Sequence, residues 1–473
     1  MQRAWPWRGC GSIQADAGFK QPAELTATAI AQMAPTPTAK PQLGRLAFVR
    51  GGDIWVKELP DGEERRLTRD GHNAEPLWSP SGEWLAFRKG EPPNDQAWVV
   101  RADGTEAHQL DAGPVLRIAW SPLRDRIAYS LNGGLYLVNA DGSERRELVS
   151  PPGKEPGVGS VMSVAWSPDG EWIAFHRTDR GTPGAPTWIY QGLWRIRADG
   201  SDAAEVYRNP DPQETQGYLA GWSGDGRHLL FWQGKHMSAS ILADGAPLLA
   251  VPAAGGSPVQ LAERVLYRQD AFDGSPDGQR LALVAGGRRD SWENKAIAVA
   301  GATGGLQRLS DLGRADLFPA WSPNGRQIAF AGAPEAPGAT GGDTAKQAMA
   351  QRKIWVMAPD GSGKRQLTSD LRFRDERPRW SLDGSHILFG RFQDEQMQVW
   401  LMRSDGSDLV QVVDELTPTP GPAPGCFGYY GYVDWYRVYD WWPGPPSNRR
   451  APAAMATPAR PLTTPAAYDT IRP

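Results

Sequence analysis

Residues 166–170 read W-S-P-D-G, and the chain returns to this phrase along most of its length. Variants stand at 78–82 (W-S-P-S-G), 120–124 (W-S-P-L-R), 222–226 (W-S-G-D-G), 274–278 (G-S-P-D-G), 321–325 (W-S-P-N-G) and 380–384 (W-S-L-D-G). The shortest step, Trp78 to Trp120, is 42 residues and the longest, Trp321 to Trp380, is 59. Strand-rich repeats of this size predict a β-propeller, an all-β disc of four-stranded antiparallel blades.

The unit that opens at Trp321 shows why. W-S-P-N-G-R-Q-I-A-F is a turn and a short apolar strand, and K-I-W-V-M (353–357) is a second strand. A-P-D-G-S (358–362) is a turn, K-R-Q-L-T (364–368) a third strand, and the stretch ending R-P-R-W at Trp380 a fourth. In S-P-D-G, proline presets the first corner of a type I turn, Asp suits the second, and Gly takes the left-handed position that follows. The D-G pairs beginning at Asp103, Asp141, Asp199, Asp360 and Asp405 repeat that chemistry in the second hairpin. These acids recur once per unit, so they are spread around a ring and serve turns, not a metal. The 21 tryptophans fall mostly at the W of W-S-P and in the middle of I-W-V (Trp55, Trp98, Trp194, Trp355, Trp400), positions expected to fill the space between blades.

Residues 44–68 carry three strands of a unit and lack the first. Y-V-D-W-Y-R-V-Y-D-W-W-P-G (432–444) reads as the missing strand, ending in a relative of the W-S-P turn. The C-terminal strand is therefore expected to pair in the N-terminal blade, leaving no open sheet edge. This gives eight blades over 44–444, or seven if the weak units at 222–261 or 274–309 are irregular.

The pattern W-S-P-D-G-x-x-I-A-F, I-W-V-M-x-x-D-G-S, x-Q-L-T resembles the TolB-like propeller repeat, also called the WD40-like Asp-Pro repeat. The resemblance covers nearly the whole repeat region and implies the propeller fold, without the α/β domain that precedes it in TolB. TolB's own partners are not carried over. Similar repeats form the propeller halves of prolyl-oligopeptidase-like and tricorn-like proteases, whose hydrolase domain has no counterpart here.

Outside the repeats, 1–43 is read as a Pro/Thr/Ala-rich tether and 445–473 as a disordered Pro/Ala/Thr-rich tail. Gly9-Cys10-Gly11-Ser12 resembles the end of a lipoprotein signal, which makes Cys10 a candidate lipidation site. The sequence contains no run of 18 apolar residues, so no membrane-spanning helix is expected. Two cysteines, Cys10 and Cys426, build no disulfide framework. A net charge of −3 without a basic patch argues against nucleic acid.

Catalytic motifs are missing. The six histidines form neither H-x-H nor H-x-x-x-H. G-S-G-K-R (361–365) lacks the earlier glycine of a phosphate loop, D-G-S-P-D-G (273–278) runs to Val284 where a calcium loop needs Glu, and G-W-S-G-D (221–225) is not G-x-S-x-G. What remains is the loop face, opposite the hairpin turns, where long loops such as 331–352, whose second half is expected to form a short helix, and 178–191 offer binding surface. Charges on the segments entering each first strand are the candidate site: His72, Glu75, Asp270, Arg314, Asp316, Arg374, Asp375, Glu376 and Arg377. Reversing Arg374 and Arg377 is expected to leave folding intact and weaken capture. The reading is a monomeric, non-catalytic propeller that binds a protein, peptide or glycan partner, with no cofactor and no metal. It is expected to be exported and tethered in the cell envelope or periplasm, with the cytoplasm as alternative. The rival functions are a channel enzyme of polysaccharide lyase or hydrolase type, and an accessory subunit of a protease.

Overall fold

The computed structural model describes residues 43–445, except 91–94, 114, 153–158, 180–188, 213, 236–243, 340–341, 394–395 and 418–430. The expected tether with Cys10, nearly all of the expected tail, and most of the 178–191 loop lie outside the described residues.

Among the described residues, 32 strands form seven antiparallel sheets, six of four strands and one of eight. The larger sheet contains two successive four-strand meanders, Thr215–Trp222 to Val259–Val265 and Phe272–Gly274 to Gly304–Arg308, joined through the single pairing Val265↔Ala285. The irregular junction falls beside the repeat whose phrase has lost its tryptophan, G-S-P-D-G. The molecule is a propeller whose hairpin turns are those expected. In the turn at 167–170, the Gly170 N–H reaches the Ser167 carbonyl at 2.9 Å and Gly170 has φ +69°. Asp169 accepts from Ser167 Oγ at 2.5 Å and from the Glu171 N–H at 3.0 Å.

Closure follows the expected pairing. Strand β1 (Arg45–Arg50) lies between β2 (Asp53–Glu58) and the last strand (Tyr439–Trp442), in the register Arg45↔Trp442 to Phe48↔Tyr439. Only these four residues of 432–444 are strand; the segment before them contains a 3-10 turn, Trp435–Arg437. The seam buries Leu46 and Phe48 against Leu388, Val399, Trp435 and Trp441.

The W-S-P tryptophans tie neighbouring units by one recurring bond. Each indole N–H donates to the carbonyl just before the tryptophan of the preceding unit: Trp120 to Leu77 (3.1 Å), and Trp166 to Ala119, Trp222 to Ala165 and Trp380 to Ala320 (3.0 Å each). Trp78 and Trp321 break the rule, because the units before them lack a regular W-S-P corner. Their indoles have no partner among the described residues. Their backbone N–H groups are held by acids of the preceding unit instead, Asp440 for Trp78 and Asp273 for Trp321.

The I-W-V tryptophans pack against the core clusters as expected but stand at their margin, half-buried. Cations cover the ring faces of most of them: Lys89 on Trp98 (4.4 Å), Arg314 on Trp355 (4.4 Å) and Arg391 on Trp400 (4.5 Å). Within 331–352 the expected helix is present as α1 (Gly342–Ala350), seated on Trp292 through Ala345, Ala348 and Met349.

Candidate functional site: an axial channel plugged at one end

The first strand of each blade lines the axis, and its register carries an irregularity that re-aims side chains. In six units the pairing slips just before the W-S-P phrase. Three of these slips place a residue ahead of proline in left-handed backbone: Glu75 (φ +57°), Phe318 (φ +56°) and Arg377 (φ +52°). All three lie three residues before their tryptophan, as do Arg117 and Ser163. Non-glycine residues in this conformation are uncommon and gather at functional positions.

The channel is closed at the loop-face end by residues 431–438, the approach to the closing strand. Tyr432 lies under Arg268 (4.6 Å to the ring) and beside Phe318. Arg268 pairs with Asp270 at 3.2 Å and donates to Asp434 at 2.7 Å. Trp435 Nε1 donates to Glu376 at 3.0 Å, and Arg437 meets Glu75 at 3.3 Å. The Gly431 carbonyl accepts from Arg352 (3.1 Å) and Arg374 (3.0 Å). Gly431 has φ +81°, and a Cβ there would stand 2.1 Å from Ser291 Oγ, so only glycine fits this close approach.

Beyond this plug the channel holds a cavity of about 550 Å³. Tyr436 and Tyr439 line it, and its wall extends to the turn residues Pro80, Pro276, Pro323, Leu382 and Pro443. Arg379 in the wall is spoken for, donating to Asp440 at 2.9 Å. Arg377 packs over the Tyr439 ring at 4.9 Å, and its Nη1 is buried without an acceptor among the described residues. Asp273, also in the wall, is wholly enclosed; burial pushes its pKa up to about 6, against the N–H groups of Trp321 and Gly274 that favour the anion.

The residues expected as a surface site divide into three groups. His72 is exposed and joins nothing else in the set. Glu75, Asp270 and Arg377 belong to the inner ring, and the first two hold the plug. The rest are structural and not on the loop surface. Arg374 and Glu376 are buried within Phe373–Trp380, and Asp375 is fully enclosed with Arg391 at 2.6 Å. Arg314 and Asp316 pair with each other at 3.1 Å, and burial raises the Asp316 pKa. For Glu376, burial raises the pKa, but Arg374 and Arg352 outweigh it, so the group stays ionised. Reversing Arg374 would thus place an unpaired acid inside the protein, not on a loop. Sequence reasoning missed Arg117, Arg268, Arg352 and the plug. Arg117 had a readable signal, its offset of three from Trp120; Arg268 and Arg352 had none.

One pair outside the expected set looks catalytic. Ser163 Oγ and His176 Nδ1 are in hydrogen-bond contact beside the axis. Both are buried, and burial together with nearby Arg117 holds the His176 pKa at about 3. A base that weak does not activate a serine near neutrality. Among the described residues no group of three His, Cys, Asp or Glu side chains is arranged to hold a metal.

No family model matches the chain. Over 142 residues it is 29% identical to the uncharacterized protein Atu1656 of Agrobacterium fabrum, covering 26% of this chain and 47% of that one. Over 117 residues it is 31% identical to the uncharacterized peptidase YuxL of Bacillus subtilis, covering 24% of this chain and 16% of that one. The chain thus spans less than half the length of either curated relative. Among solved structures, dipeptidyl peptidase 4 of Porphyromonas gingivalis matches with a TM-score of 0.54 at 12% identity, over 79% of this chain and 60% of that one. Dihydro-heme d1 dehydrogenase NirN matches with a TM-score of 0.54 at 13% identity, over 79% and 74%. The fold is a β-propeller. TolB of Acinetobacter baumannii is similar at a TM-score of 0.34 and 15% identity, over 68% of this chain and 62% of that one.

Proposed function

We propose that this propeller is a non-catalytic binding module of TolB-like type, and that its ligand enters the axial cavity from the hairpin-turn face. The observation that carries the reading is the 550 Å³ cavity, plugged at the loop-face end and walled on the other side by turn residues. A concave site with apolar walls and a few charged groups is where a rigid disc captures a ligand. The cavity's size and mixed lining suit the end of a peptide or a short glycan presented by a partner. This moves the expected site from the loop face to the opposite one. The depressed basicity of His176 supports binding over hydrolysis.

Capture from an extract of the source organism tests the assignment with two variants. Leu382→Arg places a charge in the cavity wall at the turn face. Leu312→Asp combined with Leu371→Asp alters the loop face, where these leucines are 87% and 81% exposed. The expected result is loss of specific partners with the first variant and retention with the second; the reverse pattern returns the function to the loop face.

An envelope location belongs to the same proposal, supported by the likeness of Gly9-Cys10-Gly11-Ser12 to a lipoprotein signal end. Labelling the native gene product with a fatty acid in cells, with Cys10→Ala as control, tests it: no incorporation that depends on Cys10 removes the anchor.

A further inference from the structure

Arg117 is a buried inner-ring cation with no carboxylate partner among the described residues. It sits on Val115–Trp120, three residues before Trp120, and is 8% exposed. Among the described residues no carboxylate forms an ion pair with it, and its buried Nε has no acceptor. The other buried arginines near the plug each have a carboxylate or carbonyl partner. Arg352 and Arg374 share Glu376, Arg391 has Asp375, and Arg88 donates to the Val115 carbonyl.

The groups that act on Arg117 come from several sides of the axis. They are Tyr267, Arg88 and Glu75 from other units, and Tyr436 from the plug. Its place three residues before the tryptophan is the one that Phe318 and Arg377 take in the cavity wall, on a strand that lines the axis. Glu75 is engaged by Arg437 at 3.3 Å, Arg88 has Asp95 at 3.7 Å, and His176 is neutral near pH 7. Arg117 is left with no ion-pair partner of its own among the described residues. Burial lowers the Arg117 pKa from the usual arginine range, and it raises those of Tyr267 and Tyr436, so both phenols remain protonated donors.

An uncompensated buried cation is strongly destabilising and needs a reason to persist. A planar fork of donors in a low-dielectric channel is suited to a two-oxygen anion held by parallel hydrogen bonds. We propose that Arg117 anchors an oxyanion, a carboxylate or phosphate group, at the channel axis, as the charged end of the ligand the channel binds. This rests on the reading of the channel as a ligand site and names the chemistry of that ligand.

The test is thermal unfolding of the full chain in sodium chloride against sodium acetate, citrate and inorganic phosphate at matched ionic strength. The wild type should gain a saturable rise in Tm with a carboxylate or with phosphate, and whichever acts identifies the source. Arg117→Met should lose the rise while unfolding in chloride at or above the wild-type temperature, because it removes a buried charge. Arg117→Lys keeps the charge without the fork, and should weaken apparent affinity about tenfold, or about 1.4 kcal/mol. An equal rise in wild type and both variants, or no rise in the wild type, overturns the proposal. If the wild type shows no rise but partner capture still depends on Leu382, only the role of Arg117 falls. If capture is also independent of Leu382, the channel reading falls with it.

Discussion

Asp440 accepts the backbone N–H of Trp78 at 3.0 Å across 362 residues of sequence. The same carboxylate takes Arg379 at 2.9 Å. One side chain on the closing strand thus joins the last unit, the first and the second, so closure is a polar lock as well as a strand pairing.

Asp440→Ala should therefore destabilise the fold by about 2–3 kcal/mol, the loss expected for hydrogen bonds to a charged group. A chain ending at Asp414 should unfold far below one ending at Pro445, because it opens a sheet edge and removes Trp435, Tyr439 and Trp441 from a buried seam. Denaturant midpoints measure both effects. Equal midpoints for the two chain lengths would remove closure as a source of stability.

Arg374→Glu should destabilise by about 3–5 kcal/mol, since it breaks a buried pair and leaves Glu376 facing a second acid. Arg372→Glu, two residues earlier, alters only an exposed pair with Asp370 and should leave the unfolding midpoint nearly unchanged. Urea unfolding of the two variants checks this. Similar small effects would mean that the buried cluster relaxes or admits water.

Trp166→Phe should lower stability by about 1 kcal/mol more than Trp321→Phe. Both exchange an indole for a smaller ring in the core. Only Trp166 also gives up an inter-unit hydrogen bond, to Ala119, whereas the Trp321 indole has no partner among the described residues. A difference of zero between the two midpoints would show that the recurring indole bond contributes nothing net.

Acid should unfold this protein partly through His176. Above pH 6.5 a histidine is neutral in the folded and the unfolded chain alike, so the group makes no pH-dependent contribution there. Between about 3 and 6.5 only the unfolded chain takes the proton, because burial holds the folded pKa at about 3. Stability should fall as pH drops through that window, by up to about 1.4 kcal/mol per pH unit from this group. His176→Gln should flatten the slope between pH 6 and 4 in a series of denaturant midpoints. An unchanged slope would assign the acid sensitivity to other groups.

The propeller was legible because its signals are local. A proline, an aspartate and a glycine in sequence fix a turn wherever the chain goes, and Ser167, Asp169 and Gly170 make the bonds their types predict. The helix in 331–352 was readable for the same reason. Closure was readable as a deficit, since three strands at one end needed a fourth from the other. The tryptophan rule was only half visible. The spacing showed that Trp166 recurs, but the carbonyl it reaches, Ala119, belongs to a different unit.

The candidate site was legible as a list of charges and not as a place. Arg374, Asp375, Glu376 and Arg377 read as loop-face charges, yet the strand pleat and the slip at Arg377 sent the first three into the interior and the fourth to the channel. Strand period two decides which neighbours point together, and an irregularity shifts that phase by an amount composition does not encode. The sequence by itself determined the repeat, its turns and the pairing of first strand with last, because those depend on residues near one another or on a count. Only the tertiary structure decided that 431–438 turn aside to plug the axis, that the cavity lies toward the turns, and that Arg117 is left without a carboxylate. Those facts depend on which side chains meet at the axis from units far apart in sequence, and on how far burial strengthens an unmatched charge.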